Sequence, residues 1–195
     1  MPMSTDLIHI IDDYFLRPIG LSEYLPYYFE NESKVYSDSL TINVWESMSK
    51  IEQEKQQELY KAIKDRYSFQ AFIMKGEMII GWHSGWQVDE EKYYMCDTAL
   101  FKEYQGQGIY TALLPILIDL YRAQGFQKIY SRHLASNNAV IVPKLRAGFV
   151  ITGFEIEVMF GLMVVLTYFC SDKRFNAYKF RTGALRPNED LKKFL

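Results

Sequence analysis

The segment Gln105-Gly106-Gln107-Gly108-Ile109-Tyr110 sets two glycines one residue apart, directly before an apolar run with helical spacing. A strand that enters such a turn and leaves it as a helix exposes unpaired N–H groups, and the helix dipole adds about half a positive charge there. Glycine lets the backbone approach an anion with no Cβ in the way. The chemistry this suggests is phosphate binding. Alone, the signal is weak. A GxGxxG dinucleotide fingerprint needs a third small residue, but Thr111 follows Tyr110 and no parallel β-α-β unit precedes the turn.

The elements that position this turn can be read from hydrophobic period. YFLRPI (Tyr14–Ile19) is a strand ended by Pro18 and Gly20, and Ser22 is placed to cap a helix through SEYLPYYFE. Residues 40–43 are ambiguous. From Glu46 to Tyr67 the pattern is helical, with Leu59, Ile63 and Tyr67 on one face. FQAFIMK, a Gly76-Glu77 turn, MIIGWHSGW, a polar turn at Asp89–Lys92 and YYMCDTALF form an antiparallel meander. Ile109–Gly125 is a helix despite Pro115, KIYSRHL a fifth strand, and Asn138–Ala147 a helix stopped at Gly148. FVITGFEI and VMFGLMVVLTYF close the chain as two strands. The result is a mixed α/β sheet, not a regular doubly wound one.

Composition narrows the class. The 195 residues suffice for one core, with 49% hydrophobic and 24% charged residues. The net charge of −2 offers no footprint for nucleic acid. Residues 172–195 form a basic tail, seven Lys/Arg against three Asp/Glu, while 13–170 hold the core of a single domain spanning 1–195. Cys96 and Cys170 give neither a disulfide framework nor a metal site, so no metal is expected. The N-terminal segment carries acids and no basic stretch, which excludes a signal peptide. The longest apolar run has 13 residues against the roughly 20 that span a bilayer, which argues against a membrane. A reducing cytoplasmic setting fits.

With the turn, Asn137 and then Ala147-Gly148-Phe149 in this order, the chain resembles the GCN5-related N-acetyltransferases over about Tyr14–Phe169. In that family a Q/R-x-x-G-x-G/A turn binds the pyrophosphate of acetyl-coenzyme A, and an Asn precedes a Gly-Phe pair by eleven residues; Gln105–Tyr110, Asn137 and Gly148-Phe149 keep this pattern. The resemblance implies a single-domain α/β fold, a mixed sheet with flanking helices and a cofactor groove splayed between the fourth and fifth strands. It implies acetyl-CoA bound by Ala99, Leu100 and Phe101 through backbone groups, by Gln105, Gly106, Gln107, Gly108, Ile109 and Tyr110 at the turn, and by Asn137 and Asn138, with helix capping the competing reading for either asparagine. Two positions depart. Tyr110 stands where the family has Gly or Ala, and Lys144 stands where many members place the Tyr that protonates the leaving thiolate. Lysine has three donors and an ordinary pKa near 10.4, so it can bind phosphate or stabilise a thiolate.

A general base is harder to place. Asp97, on the fourth strand, either serves as the base or faces solvent. His133, at the end of KIYSRHL, has the right ordinary pKa, with a structural role as the competing reading. Cys96 reads as core. On the acceptor side, Tyr28, Trp82 and His83 are candidates, with a core role equally open for His83. The aromatic segments Tyr24–Tyr36, Trp82–Trp86 and Phe154–Met163 suit a small-molecule amine or a peptide amino terminus with an apolar body. The implied function is transfer of acetyl from acetyl-CoA to an amine by direct attack in a ternary complex. The competing class is a non-catalytic acyl-CoA-binding or regulatory module. Oligomeric state stays open, a dimer included.

Overall fold

A computed structural model of the protein describes residues 6–36, 44–63, 65–186 and 189; the ambiguous stretch 40–43 lies outside the described residues. In chain order the elements are β1 (Ile8–Ile11), β2 (Tyr14–Ile19), α1 (Leu21–Val35), α2 (Val44–Ser47), α3 (Lys50–Ile63), β3 (Ser68–Lys75), β4 (Met78–Gln87), β5 (Lys92–Leu100), α4 (Ile109–Ala123), β6 (Lys128–Leu134), α5 (Asn138–Arg146), β7 (Val150–Glu157), β8 (Gly161–Phe169) and α6 (Asp172–Arg181). One eight-stranded sheet runs in the order β1-β2-β3-β4-β5-β6-β8-β7. Every pair is antiparallel except β5 with β6. This is the open mixed α/β sheet expected from the sequence.

The sheet has two covered faces. Against one, α4 packs Leu113, Leu114, Leu117 and Tyr121 onto Leu16, Ile73, Ile80, Tyr93 and Ile129. Against the other, Tyr24 of α1 joins Ile19, Phe72, Trp82 and Ala99. Successive strand residues point to opposite faces, so β3, buried on both sides, reads as the run FQAFIM, apolar apart from the buried Gln70.

Several local readings change. β1 was not expected; Ile11 pairs with Tyr14 around a two-residue Asp12-Asp13 turn, with Asp12 at φ 47°. Ser22 does not cap α1, because the helix starts at Leu21 with Gly20 in the cap position. The expected helix from Glu46 to Tyr67 is two helices. Ser49 Oγ accepts from the Glu52 N–H at 3.3 Å, and Glu52 Oε2 accepts from the Ser49 N–H at 2.8 Å. This reciprocal capping box starts α3 afresh. Val158–Phe160 turn rather than extend, with the Met159 and Phe160 N–H groups donating to Glu157 Oε2. Part of the basic tail is ordered as α6, where Arg174 makes a bidentate pair with Glu91, 2.8 Å for one of its two contacts.

The feature that matters for function lies at the sheet's centre. β5 and β6 pair only at Lys92–Lys128, Tyr93–Ile129 and Tyr94–Tyr130. Beyond these three pairs the strands separate, although β5 continues to Leu100 and β6 to Leu134. A bulge sits at the point of separation: Gly85 pairs with Met95 but Ser84 with Asp97, leaving Cys96 extra. Gly85 permits it, since a Cβ there would lie 2.4 Å from the Tyr94 carbonyl oxygen. The bulge turns Met95 toward the α4 face and Asp97 toward the α1 face.

Candidate active site

The glycine turn lies at the mouth of this gap. Gly106 (φ 73°) and Gly108 (φ 81°) both take left-handed backbone, and a Cβ at either would meet nothing within 4 Å. Gly108 occupies the cap position of α4 with no side-chain cap, and the helical ladder begins with the Ala112 N–H donating to Gly108 O at 3.0 Å. The first-turn N–H groups of Ile109, Tyr110 and Thr111 therefore precede the ladder, and open space lies beside the two glycines. Left-handed glycines, open space and first-turn donors fit a pyrophosphate.

The glutamines shape the turn from within. Gln105 Nε2 donates to Leu100 O at 2.8 Å, and Gln107 Nε2 donates to Glu103 O at 2.7 Å while its Oε1 accepts from the Tyr14 hydroxyl at 3.1 Å. The Leu100 carbonyl is thus engaged inside the protein, as is the Phe101 N–H, which donates to Ile80 O at 2.9 Å. Ala99 is buried beside Trp82. Tyr110 packs along the α4-side core, with burial pushing its hydroxyl pKa up. Its bulk lies against the core, which explains how a large residue can follow the second glycine.

Lys144 stands at the apex of the gap. It is 1% exposed. Its Nζ donates to Ser131 Oγ at 2.7 Å and approaches Met95 Sδ at 3.8 Å, and it lies 4.8 Å from the centre of the Phe149 ring. Met95 and Ser131 are the first residues past the last β5–β6 pair. Burial disfavours the charged amine and brings its pKa down to about 7. Ser131, itself buried, also meets His133 Nε2 at 3.0 Å. Burial, then the Lys144 charge, lowers the pKa of His133 to about 3, so its imidazole is neutral.

On the opposite face, Asp97 is gripped by two donors. The Trp82 indole N–H reaches Oδ2 at 2.6 Å, and the Tyr36 hydroxyl donates to Oδ1. Burial raises the Asp97 pKa against the pull of these bonds. Asp97 does not simply face solvent. Tyr24 and Tyr28 stack beside it, and Tyr28 meets Trp82 edge-on at 5.9 Å. Trp82 is fully buried and forms the floor of this cluster, whereas Tyr28 is half-buried at its rim. Cys96 is pushed up to about 12 by burial, which keeps its thiol protonated.

His83 does not join that cluster. As the neighbour of Trp82 on β4 it points to the other face, where Nδ1 meets Thr98 Oγ1 at 2.7 Å and Nε2 meets the Tyr121 hydroxyl at 2.6 Å. Burial lowers its pKa to about 3, and it acts as a core histidine with both nitrogens satisfied. Asn137 holds the cap position of α5 without a side-chain cap bond, and Asn138 is exposed in the first turn, so neither amide is used as a cap. Ser131 and Tyr36 were missed as site residues. Ser131 shares a strand face with His133, a two-residue spacing that was present in KIYSRHL.

The profile of the acetyltransferase (GNAT) family matches residues 37–149. No curated protein sequence matches the chain. Among solved structures, a ribosomal-protein-S5-alanine acetyltransferase from Vibrio fischeri is similar at TM-score 0.62 and 17% identity, covering 86% of this chain and 98% of that one. RimL, a ribosomal L7/L12 alpha-N-protein acetyltransferase in complex with coenzyme A, is similar at 0.62 and 16%, covering 84% and 98%. A GNAT family acetyltransferase from Elizabethkingia anophelis with acetyl-CoA bound is similar at 0.56 and 16%, covering 82% and 99%. With a glycine cradle at the start of α4, a sheet that parts between β5 and β6, and a profile match over more than half its length, the chain belongs to the acetyltransferase (GNAT) family.

Proposed function

We propose that the protein is an N-acetyltransferase acting on a primary amine, a peptide amino terminus or a small amine with an apolar body. The observation that carries this reading is the gap between β5 and β6, with a phosphate cradle at its mouth and a buried amine at its apex. Acetyl-CoA supplies the acyl group as an activated thioester. The first turn of α4 would hold the pyrophosphate, and Asn137 with the unpaired edge of β5 would line the path inward. Lys144 would hold a transferable proton where a leaving thiolate needs one; a pKa near 7 makes that transfer easier than an ordinary lysine would. Asp97, fixed by Trp82 and Tyr36, would accept the acceptor's ammonium proton directly or through water. Tyr28 would contribute an aromatic wall for the amine.

The ribosomal-protein acetyltransferases among the similar structures favour a peptide amino terminus as the first acceptor to try. The two free thiols suit a reducing, cytoplasmic compartment, and no described helix is long and apolar enough to cross a membrane.

One observation favours a second reading, a non-catalytic acyl-CoA-binding module: Lys144 is enclosed, and the Leu100 and Phe101 backbone groups are already engaged. Thiol release from acetyl-CoA, measured with a panel of amino-terminal peptides and small amines beside calorimetric binding of coenzyme A, separates the two. Binding with thiol release in the presence of an amine supports transfer. Binding with no release across the panel supports the module.

A further inference from the structure

We propose that Ser131 and His133 form a proton path between solvent and the Lys144 amine. This deepens the transfer reading above and rests on it for its catalytic meaning.

The geometry leaves few alternatives. Among the described residues, Lys144 Nζ has two hydrogen-bond contacts, Ser131 Oγ at 2.7 Å and Met95 Sδ at 3.8 Å, and beside it lies the Phe149 ring. A thioether and a phenyl ring carry no exchangeable proton. Ser131 is buried too, and its other partner is His133 Nε2 at 3.0 Å. His133 is only half-buried, near the end of β6, past that strand's last pair with β5 though still paired with β8. Ser131 and His133 share a strand face because they are two residues apart. The path uses the tautomer in which His133 Nε2–H donates to Ser131 Oγ and Nδ1 is bare: the hydroxyl oxygen accepts from the ammonium and from the imidazole, and its own hydrogen can turn to a neutral amine.

The balance of the step is simple. After Lys144 gives up a proton, its neutral Nζ takes the Ser131 Oγ hydrogen. Ser131 regains one from Nε2–H of the His133 imidazolium, formed transiently when the bare Nδ1 takes a proton from water, and the hydroxide left in solvent is neutralised by the proton that the acceptor ammonium releases. No bond other than N–H and O–H changes. The other titratable group that feels Lys144 is His83, which faces it from β4 and is occupied by Thr98 and Tyr121. It offers no route outward.

The test uses full-length protein without cofactor first. Exchange of the Lys144 Nζ hydrogens with water, read from the ammonium signal of nitrogen-15 lysine-labelled protein, should slow about tenfold or more in Ser131→Ala and His133→Ala. Ser131→Thr, which keeps the hydroxyl, should exchange as the wild type does. Added imidazole should restore the rate in His133→Ala, a rescue that a structural role would not give. With acetyl-CoA and the best peptide of the panel, His133→Ala should bind coenzyme A normally but turn over about tenfold more slowly until imidazole is added. Unchanged exchange in both alanine variants overturns the path while leaving acetyl transfer standing, as does a loss that imidazole never restores. A wild type that neither binds coenzyme A nor releases thiol overturns the transfer reading and the path's catalytic meaning with it.

Discussion

Trp82 and Asp97 meet across β4 and β5, the indole N–H donating to Asp97 Oδ2 at 2.6 Å from a fully buried ring. A carboxylate held this way cannot swing with solvent, and its burial raises its pKa. The native state therefore keeps the Asp97 proton to higher pH than the unfolded chain does. Stability contributed by that proton is present at low pH and lost as pH climbs from the ordinary carboxylate value, about 4, through the raised one. Asp97→Asn removes the slope. Its melting temperature relative to wild type should rise between pH about 4 and neutrality, and thiol release with an amine should fall at unchanged coenzyme A affinity. A flat difference across that range would mean Asp97 titrates normally.

Gly108→Glu should abolish acetyl-CoA binding in a folded protein, because a carboxylate would stand where phosphate belongs. At φ 81° any side chain costs roughly 1–2 kcal/mol. Gly108→Ala carries the same strain without the charge and serves as the control. Calorimetry should find binding lost in the glutamate variant and retained in the alanine one. Equal affinity in both would remove the phosphate from this turn.

Lys144→Met tests the buried amine. The pKa falls from 10.5 to about 7 on folding, so the native state binds the proton less well than the unfolded chain. The resulting penalty is complete below about pH 7 and relieved as pH rises toward 10.5. The methionine variant should melt above wild type near pH 6, with the advantage shrinking through that window. Lys144→Ala should lower turnover, and Lys144→Tyr should restore part of it. Equal turnover in wild type and both variants would take Lys144 out of the chemistry.

The aromatics near Asp97 divide by burial. Tyr28→Ala should raise the KM for the amine and leave that for acetyl-CoA nearly unchanged. Trp82→Ala is a poor probe of the same wall, since emptying a buried tryptophan site costs about 3–5 kcal/mol. Chemical denaturation should register that loss in Trp82→Ala and little change in Tyr28→Ala. The reverse pattern would make Tyr28 a core residue.

Long periodic elements were legible in the sequence. The meander, the helix after the glycines and the strand KIYSRHL stand within two residues of their expected limits, because each carries a strong apolar period. Short signals were lost: β1 has only four residues, and the Ser49–Glu52 box that divides one expected helix into two lies inside a continuous helical pattern. Ser131 was overlooked because a lone serine in a strand has no signature; its meaning comes from Lys144, thirteen residues on, folding back above it. His83 stayed ambiguous because its role depends on which face of β4 it takes, and the neighbouring apolar residues, buried on both faces, do not tell.

Three residue pairs are all that stitch β5 to β6. The sheet is thus a five-stranded plate and a three-stranded plate meeting along a short seam, closed at one end and open at the other. Such a seam is where native-state amide exchange should find its lowest opening energy, with the two plates breathing as separate units. A molecule wedged into the open end would act as mortar, so its binding should slow exchange on both plates together, well beyond the residues it touches.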